Sequence, residues 1–257
     1  MIRTHNETVR ANFDPRAQAY LESPTHAAGE DLAHLETLLR GRFIQDAPEV
    51  LDLGCGGGHV TYVAARHAHR VTACDISGEM LRVVARAAEE RGLGNVETRQ
   101  GPAEAPPFAD ASFDVVASRY SGHHWRDVGL ALREIRRVLK PGGVFWLSDV
   151  ASPGSPLLDT HLQAVELLRD TSHVRDYAPA EWLRFAAEAD LRVREARTFR
   201  LRLDFAAWIA RMATPEPLAS AIRTLQRAMP EEVRAHFALE PDGSFTVDGF
   251  ILTAEKT

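Results

Sequence analysis

Cysteine is scarce in this sequence, which contains only Cys55 and Cys74 among its 257 residues. Two thiols do not make a disulfide framework, so we expect reduced cysteines and a cytoplasmic location. No apolar run approaches the roughly 20 residues that a membrane-spanning helix needs, and residues 1–6 do not have the pattern of a signal peptide. These absences exclude a membrane partner from the expected functions.

Clusters of positive charge and metal-binding motifs are missing as well. The formal net charge is −6 and the pI is near 6.0. No stretch concentrates Lys and Arg without nearby acids, so a nucleic-acid partner is not expected. Neither His-Glu-x-x-His nor a pair of Cys-x-x-Cys motifs occurs, and two adjacent histidines such as His123 and His124 make a poor metal site on their own. We therefore predict no metal.

What the sequence does contain is a regular alternation of strand-like and helical segments, in a chain that is 45% hydrophobic and 26% charged. At this spacing the alternation predicts an α/β fold with a doubly wound, mostly parallel sheet and right-handed crossovers. We predict seven strands, at residues 49–53, 70–75, 96–100, 113–118, 144–150, 191–203 and 245–255. Helices are predicted between them at residues 60–68, 78–91, 128–139, 156–169 and 180–189.

The remaining segments complete the predicted domain organisation. Residues 1–14 are polar and are expected to be mobile or loosely docked, and residues 15–40 are predicted to form two short helices separated by Pro24. Residues 204–238 are predicted to be helical and exceed the length of a hairpin connection, so they form either an insertion over a substrate pocket or a structural or dimerising element. The predicted units are an N-terminal helical cap (1–41), an α/β core (42–203), a helical insertion (204–244) and the last strand of the core sheet (245–257).

A glycine-rich turn at residues 54–58 follows the first predicted strand and precedes a helix. Gly54 and Gly56 let the backbone approach a ligand, and Cys55 lies between them, where the helix presents unpaired N–H groups. A dinucleotide-binding turn needs glycine at its first, third and sixth positions, but the sixth position here is His59 counted from Gly54, or Thr61 counted from Gly56. A phosphate loop needs a lysine after its glycines, and this turn has none. Asp52, two positions before the first glycine, favours a ligand with a positive group.

The second predicted strand ends in Asp75, beside the first strand in a doubly wound sheet. A carboxylate at this position can accept hydrogen bonds from both hydroxyls of a ribose. Ile76 and Met80 follow and are predicted to sandwich an adenine ring, although Met80 suits a core position almost equally well. The segment therefore predicts a ligand that contains a nucleoside.

The segment after the fourth predicted strand carries the candidate catalytic residues. Ser118 and Arg119 end that strand at the sheet edge where ligands gather, and we predict both as cofactor contacts. His123 and His124 follow. Because imidazole titrates near neutral pH, one of the two is predicted to be a general base. The sequence does not separate them, and in the alternative one histidine orients the next helix while the other is exposed.

These motifs resemble the class I methyltransferases that use S-adenosylmethionine, in particular the type that methylates ubiquinone and menaquinone precursors. The resemblance covers about residues 14–149 and rests on Asp-Leu-Gly-Cys-Gly-Gly-Gly at 52–58 and Leu-Lys-Pro-Gly-Gly at 139–143. It implies a Rossmann-like methyltransferase fold, S-adenosylmethionine as cofactor and S-adenosylhomocysteine as product. It also implies that N-terminal helices close over the cofactor, with Tyr20 and His26 near its methionine end.

The loop at residues 100–108 departs from the family pattern. The family has Asp where this chain has Pro102, which offers neither a carboxylate nor an N–H group. The resemblance then leaves the amide of Ala103 to bind the adenine ring nitrogen and Glu104 to accept from the exocyclic amine. The alternative is an Ala/Pro-rich connecting loop without a role in binding.

Two functional hypotheses follow from these residues. In the first, the chain moves a methyl group to carbon, oxygen or nitrogen of a small aromatic or apolar acceptor, as a monomer or homodimer. In the second, it binds the cofactor without methylating, as a cyclase or a regulatory module. Transfer of a labelled methyl group to candidate acceptors separates the two hypotheses.

Overall fold

The sheet of the computed structural model, which describes residues 3–23 and 27–257, has seven strands in the order β3-β2-β1-β4-β5-β7-β6. Strands β1 to β5 pair in parallel, and β7 runs antiparallel between β5 and β6. This arrangement confirms the predicted doubly wound, mostly parallel sheet. The strands are β1 Glu49–Leu53, β2 Arg70–Asp75, β3 Val96–Gln100, β4 Phe113–Arg119, β5 Leu139–Ala151, β6 Leu191–Leu203 and β7 Phe245–Lys256.

Helices cover both faces of the sheet. They are α1 His5–Phe13, α2 Ala17–Leu21, α3 Glu30–Arg42, α4 His59–Ala64, α5 Gly78–Glu90, α6 Val128–Val138, α7 Pro156–Arg169, α8 Pro179–Glu188, α9 Phe205–Met212, α10 Glu216–Ala228 and α11 Glu231–His236. Short 3-10 turns lie at Asp14–Arg16 and Gly122–His124. Among the residues that the structure describes, no helix combines the length and apolarity needed to cross a membrane.

The core lies on the two faces of the central strands, which are buried on both sides and therefore read as continuous apolar runs. On one face, Leu132 and Ile135 of α6 pack with Trp182 of α8. On the other, Leu35 of α3 packs with Trp146 of β5. This double covering fixes the carboxyl ends of β1, β2 and β4 at one edge of the sheet, where a ligand site is expected.

The N-terminal segment differs from its prediction, because residues 5–13 form an ordered helix that docks on the protein. The helix begins with a capping box, in which the Thr4 hydroxyl accepts from the Glu7 amide and the Glu7 carboxylate accepts from the Thr4 amide. This Thr-x-x-Glu spacing was visible in the sequence. Docking is secured by Asn12, whose side-chain amide donates to Asp170 at 2.8 Å.

Smaller differences concern the ends of elements. Helix α3 continues through Gly41 to Arg42, and α4 ends at Ala64, four residues before its predicted end. The Lys-Pro-Gly-Gly turn is part of β5, with Gly142 in the left-handed region at φ +74°. There the β4–β5 register shifts between Phe113 and Val115.

The segment between β6 and β7 is helical, as predicted. Trp208 of α9, Ile222 of α10 and Val233 of α11 are buried together against Leu162 of α7. These helices therefore share an apolar cluster with the segment after β5. The proposed domain boundaries at residues 41, 203 and 244 remain a prediction.

Candidate functional site

The glycine-rich turn after β1 brings backbone to the edge of the sheet. Gly54 has φ +74° and Gly56 has φ +49°, values that favour glycine. A Cβ on Gly54 would overlap the Ser121 hydroxyl, whereas one on Gly56 would meet no atom within 4 Å. The turn is held by the amides of Gly54 and Cys55, which both donate to the Cys74 carbonyl at the end of β2. Its outer surface therefore stays open for a ligand.

Asp75 lies next to this turn, as the sequence predicted from its place at the end of β2. Its Oδ2 accepts from the Gly56 amide at 2.9 Å and its Oδ1 from the Ser77 amide at 2.8 Å. Burial raises the pKa of this carboxyl, against the effect of its amide donors. Each oxygen retains a further lone pair, so the carboxylate can still accept from a diol.

Asp52 is almost fully buried beneath the same turn. Its Oδ2 accepts from the Thr61 amide at 2.9 Å and from the Thr61 hydroxyl at 2.6 Å. Burial raises the pKa of Asp52 to about 7. The group can therefore change charge near neutral pH, and a nearby cation would favour its ionised form.

The N-terminal segment closes over the turn. A Cβ on Gly57 would lie 2.8 Å from backbone atoms of Tyr20 and Leu21, so glycine is required for this close approach. His59 Nε2 donates to the Tyr20 carbonyl at 3.0 Å. These contacts tie helix α2 to the turn and to the first residue of α4.

A cavity of about 1000 Å³ lies between the turn, β2, β4 and the N-terminal helices. We call it the glycine cavity. It brings together most of the predicted cofactor contacts, and α1 supplies further wall residues that the sequence reasoning had left out, including Phe13. The predicted residues that line it are Tyr20, Asp52, Gly54, Cys55, Gly56, Asp75, Ile76, Met80, Ala103, Glu104, Arg119 and His124.

Several predicted contacts have other partners in the structure. Ser118 is fully buried and its hydroxyl donates to the Leu53 carbonyl at 2.8 Å, so it joins two strands and does not line the cavity. The Arg119 guanidinium pairs with the buried Asp31 through Nε and Nη2. Glu104 faces the cavity, but its Oε1 accepts from the Arg126 amide at 2.8 Å. His26 lies outside the described residues.

A second cavity of about 570 Å³ adjoins the first, and we call it the histidine cavity. Phe13, Tyr20, Tyr120 and His124 line both cavities and form the wall between them. The remainder of the lining comes from the 3-10 turn after β4, from β5, α7, β6 and α9, and from the segment before α8. Those residues are His123, Val150, Glu166, Arg169, Asp176, Leu201, Leu203, Trp208 and Arg211.

The two adjacent histidines have different environments. His123 Nδ1 lies 2.6 Å from Oδ1 of the buried Asp149. Burial alone would lower the pKa of His123, but the charge and hydrogen bond of Asp149 raise it to about 9. Burial and the neighbouring His123 charge lower the pKa of His124 to about 4. At neutral pH the structure therefore pairs a charged His123 with an uncharged His124.

The anchoring of His124 fixes which of its nitrogens carries the proton. Its Nδ1 lies 3.0 Å from the Ser172 carbonyl, which can only accept, so Nδ1 is the donor. The ring lies 4.3 Å from that of His123 and 5.1 Å from that of Phe13, measured between centroids. His124 is thus a packed member of the wall between the cavities.

Charged residues that the sequence reasoning missed line the histidine cavity. Arg169 and Arg211 approach it from α7 and α9, together with the carboxyls of Glu166 and Asp176. Burial raises the pKa of both carboxyls. The pattern in α7 gave a usable signal, because Leu162, Val165, Glu166 and Arg169 share one helix face at i, i+3, i+4 and i+7. Charged groups on an otherwise apolar face indicate a buried site.

Within the described ranges 3–23 and 27–257, no three or more His, Cys, Asp or Glu side chains are grouped so as to hold a metal ion. The nearby His173 also has a hydrogen-bond partner, since its Nε2 donates to the Gln163 side-chain oxygen at 2.8 Å.

Comparison with known proteins gives consistent results. Residues 51–147 match a protein family described as a methyltransferase domain. The chain is 54% identical over 203 residues to the uncharacterized protein YafE of Escherichia coli (strain K12), a match that covers 79% of this chain and 98% of YafE. It is 34% identical over 234 residues to the uncharacterized methyltransferase YcgJ of Bacillus subtilis (strain 168), with 91% and 90% covered.

The solved structures show the same likeness in three dimensions. The crystal structure of YcgJ superposes with a TM-score of 0.83 at 32% identity and covers 88% of this chain and 98% of its own. A shorter match, 36% identical over 124 residues, is to the ubiquinone/menaquinone biosynthesis C-methyltransferase UbiE of Rubrivivax gelatinosus and covers 46% of this chain and 48% of UbiE. The likeness to YcgJ spans the sheet and nearly the whole chain.

Proposed function

The chain belongs to the class I methyltransferase family, which uses S-adenosylmethionine, and on that premise we propose that it methylates carbon, oxygen or nitrogen of a small molecule bound in the histidine cavity. The observation that carries the proposal is the wall shared by the two cavities, formed by Phe13, Tyr20, Tyr120 and His124. A cofactor in one cavity and an acceptor in the other would meet across these side chains.

The residues of the glycine cavity fit this cofactor. Asp75 offers two carboxylate oxygens to the ribose hydroxyls beside the open surface of Gly56. Asp52 lies beneath the turn and would hold a positive group such as the amino group of the methionine part. Ala103 and Glu104 line the side on which the adenine ring is expected, near Ile76.

S-adenosylmethionine, when bound, supplies the methyl group from its sulfonium. The protein's task is mainly to hold the acceptor atom in line with that group, and such positioning can contribute about 7–11 kcal/mol. Tyr20 and Tyr120 provide aromatic faces in the shared wall, which favour a nearby cation. Trp125 is buried and also lines the glycine cavity.

We assign the catalytic role to His123, as a charged hydrogen-bond donor. Its Nδ1–H is held by Asp149, which leaves Nε2 for a group in the histidine cavity. With a pKa of about 9 the ring is already an imidazolium at neutral pH, so its Nε2–H can donate to an acceptor that binds as an anion and can stabilise that charge. His124 stays uncharged and serves as part of the wall.

The test is calorimetric titration of the protein with S-adenosylmethionine and S-adenosylhomocysteine. Wild-type protein should bind both, and Asp75→Asn should weaken both by about 10- to 100-fold, because hydrogen bonds to a charged group contribute about 1.5–3 kcal/mol. Asp46→Asn, on an exposed residue, is the matched control. Absence of binding by the wild type would refute the proposal, and unchanged binding by Asp75→Asn would refute the ribose assignment.

Methyl transfer itself is tested with labelled cofactor and a panel of acceptors. Relatives that match smaller parts of the chain are named for methylation of carbon, as in ubiquinone/menaquinone biosynthesis C-methyltransferase, and of oxygen, as in malonyl-[acyl-carrier protein] O-methyltransferase. The panel should therefore contain acceptors of both kinds. Cofactor binding without transfer to any acceptor would favour the alternative of a non-methylating cyclase or regulatory module.

A further inference from the structure

We propose that the acceptor carries a negatively charged group, such as a carboxylate, which binds between Arg169 and Arg211 in the histidine cavity. This inference rests on the proposed function, since it names the chemical class of the molecule that the cavity receives. It modifies the expectation of a purely apolar or aromatic acceptor.

The two guanidinium groups lie on different helices and meet at the cavity. Arg169 of α7 donates from Nε to the Trp208 carbonyl at 3.1 Å and lies over the Trp208 ring, with 4.8 Å to the ring centroid. Arg211 of α9 donates from Nη1 to the Ser23 hydroxyl at 3.2 Å. These contacts hold each guanidinium in place at the cavity, and charged N–H donors of this kind bind anions strongly.

Their hydrogen-bonding capacity is only partly used. The Arg211 Nε is buried and has no hydrogen-bond partner among residues 3–23 and 27–257. Arg169 forms an ion pair with Glu166, but the Nη1–Oε2 distance of 3.6 Å is longer than a hydrogen bond. Two guanidiniums side by side also repel each other, and burial together with the Arg169 charge lowers the pKa of Arg211. A bound anion would remove this repulsion.

The charge balance of the cavity favours an anion over a cation. The negative charge of Asp149 balances the positive charge of His123. The charges of the two arginines are then opposed by the other two carboxyls in the lining, Glu166 and Asp176. Arginine stays charged in proteins, whereas burial and the charge of Asp170 raise the pKa of Glu166, and burial and the charge of Glu166 raise the pKa of Asp176. Both shifts favour the uncharged carboxylic acids, which weakens the negative charge that opposes the two arginines.

The rest of the lining describes the body of the acceptor. Val150, Leu201 and Leu203 form an apolar side, and Phe13 and Trp208 add aromatic surface. A molecule with an apolar or aromatic body and one acidic group matches this combination of walls. Benzoate is a small probe with these properties, and benzamide and benzylamine are neutral and cationic counterparts of the same shape.

The experiment titrates the protein, saturated with S-adenosylhomocysteine, with benzoate, benzamide and benzylamine by calorimetry. Wild type should bind benzoate at least 10-fold more tightly than the other two. In Arg211→Gln and Arg169→Gln the preference for benzoate over benzamide should fall to near one, and Arg211→Lys should retain part of it. Arg227→Gln, on an exposed arginine of α10 that lines neither cavity, should keep the wild-type preference.

Equal binding of the three probes, tighter binding of benzylamine, or no saturable binding of benzoate would overturn the inference. So would a preference for benzoate that persists in Arg211→Gln, with thermal unfolding showing that the variant is folded. Failure of the proposed function has a different signature, namely no binding of S-adenosylhomocysteine in the first step. In that case the three titrations on the cofactor-free protein still decide whether the arginines form an anion site.

Discussion

Replacing Asp149 by Asn should lower the pKa of His123 from about 9 to its ordinary value of 6.5 or below. The carboxylate lies 2.6 Å from His123 Nδ1, and its side chain is only 1% exposed. Burial opposes the charge on His123, so the rise to about 9 comes mainly from Asp149. At 1.36 kcal/mol per pKa unit, the net effect is about 3 kcal/mol in favour of the imidazolium.

The pKa can be measured by NMR titration of the His123 ring proton, assigned by comparison with His123→Gln. Wild type and the control variant Asp46→Asn should titrate near pH 9, and Asp149→Asn at or below 6.5. A ring that still titrates near 9 in Asp149→Asn would refute the assignment of Asp149 as the group that keeps His123 charged.

The same pair makes a stability prediction with a definite sign. Because the folded pKa is raised above the unfolded value of 6.5, the stabilisation is complete below pH 6.5 and is lost as the pH rises through 9. The difference in unfolding free energy between wild type and Asp149→Asn should therefore shrink by about 3 kcal/mol between pH 6 and pH 10. Urea unfolding at the two pH values measures it, and a difference that does not change with pH would contradict the reasoning.

Two further predictions concern the turn and the helical region. Gly57→Ala places a Cβ 2.8 Å from the backbone that covers the turn, and overpacking of this kind costs about 1–3 kcal/mol. The affinity for S-adenosylhomocysteine, measured by calorimetry, should therefore fall about 5- to 100-fold. Gly94→Ala, with open space around it, should bind like wild type, and equal affinity of the two variants would count against the closure of the N-terminal segment over the turn. Burial lowers the pKa of His161 to about 4, so its stabilisation is present above pH 6.5 and is lost on acidification. Between pH 8 and pH 5, the unfolding free energy of wild type and of the exposed-site control His69→Leu, measured with urea, should fall by about 2 kcal/mol more than that of His161→Leu. An equal fall in His161→Leu would show that this ring is not the cause.

The strand bounds show what local pattern predicts well. The predictions at β1, β2, β3 and β6 coincide with the structure, because each strand is set off by turn residues and is short or strongly alternating. The end of α4 at Ala64 and the merging of the Lys-Pro-Gly-Gly turn into β5 were missed. The merging of the turn into β5 depends on how neighbouring strands pair, since the β4–β5 register shift is a property of two strands together.

The residues of the candidate site also differ in how far the local sequence pattern could predict them. The sequence correctly placed Asp75 and the glycines at one edge of the sheet, because their position follows from backbone geometry at the ends of strands, and their role in binding stays a prediction. Ser118 was assigned to the ligand on position alone, and its hydroxyl is used by the Leu53 carbonyl of the neighbouring strand. Residues 1–14 were predicted to be mobile or loosely docked, although the capping box of helix α1 is visible in the sequence. The capping box indicates a helix but does not indicate the cavity that this helix lines.

The sequence by itself therefore determined the α/β sheet and the glycine turn, because strand periodicity and glycine conformational freedom are local properties of the chain, and its motifs carried the family resemblance that implied the cofactor. Only the tertiary structure decided that His123 is charged and His124 is not, since that difference depends on Asp149, 26 positions away on β5. It also brought Arg169 and Arg211 together from separate helices. Charge state and pocket chemistry arise from burial and from contacts between distant segments, which no local pattern encodes.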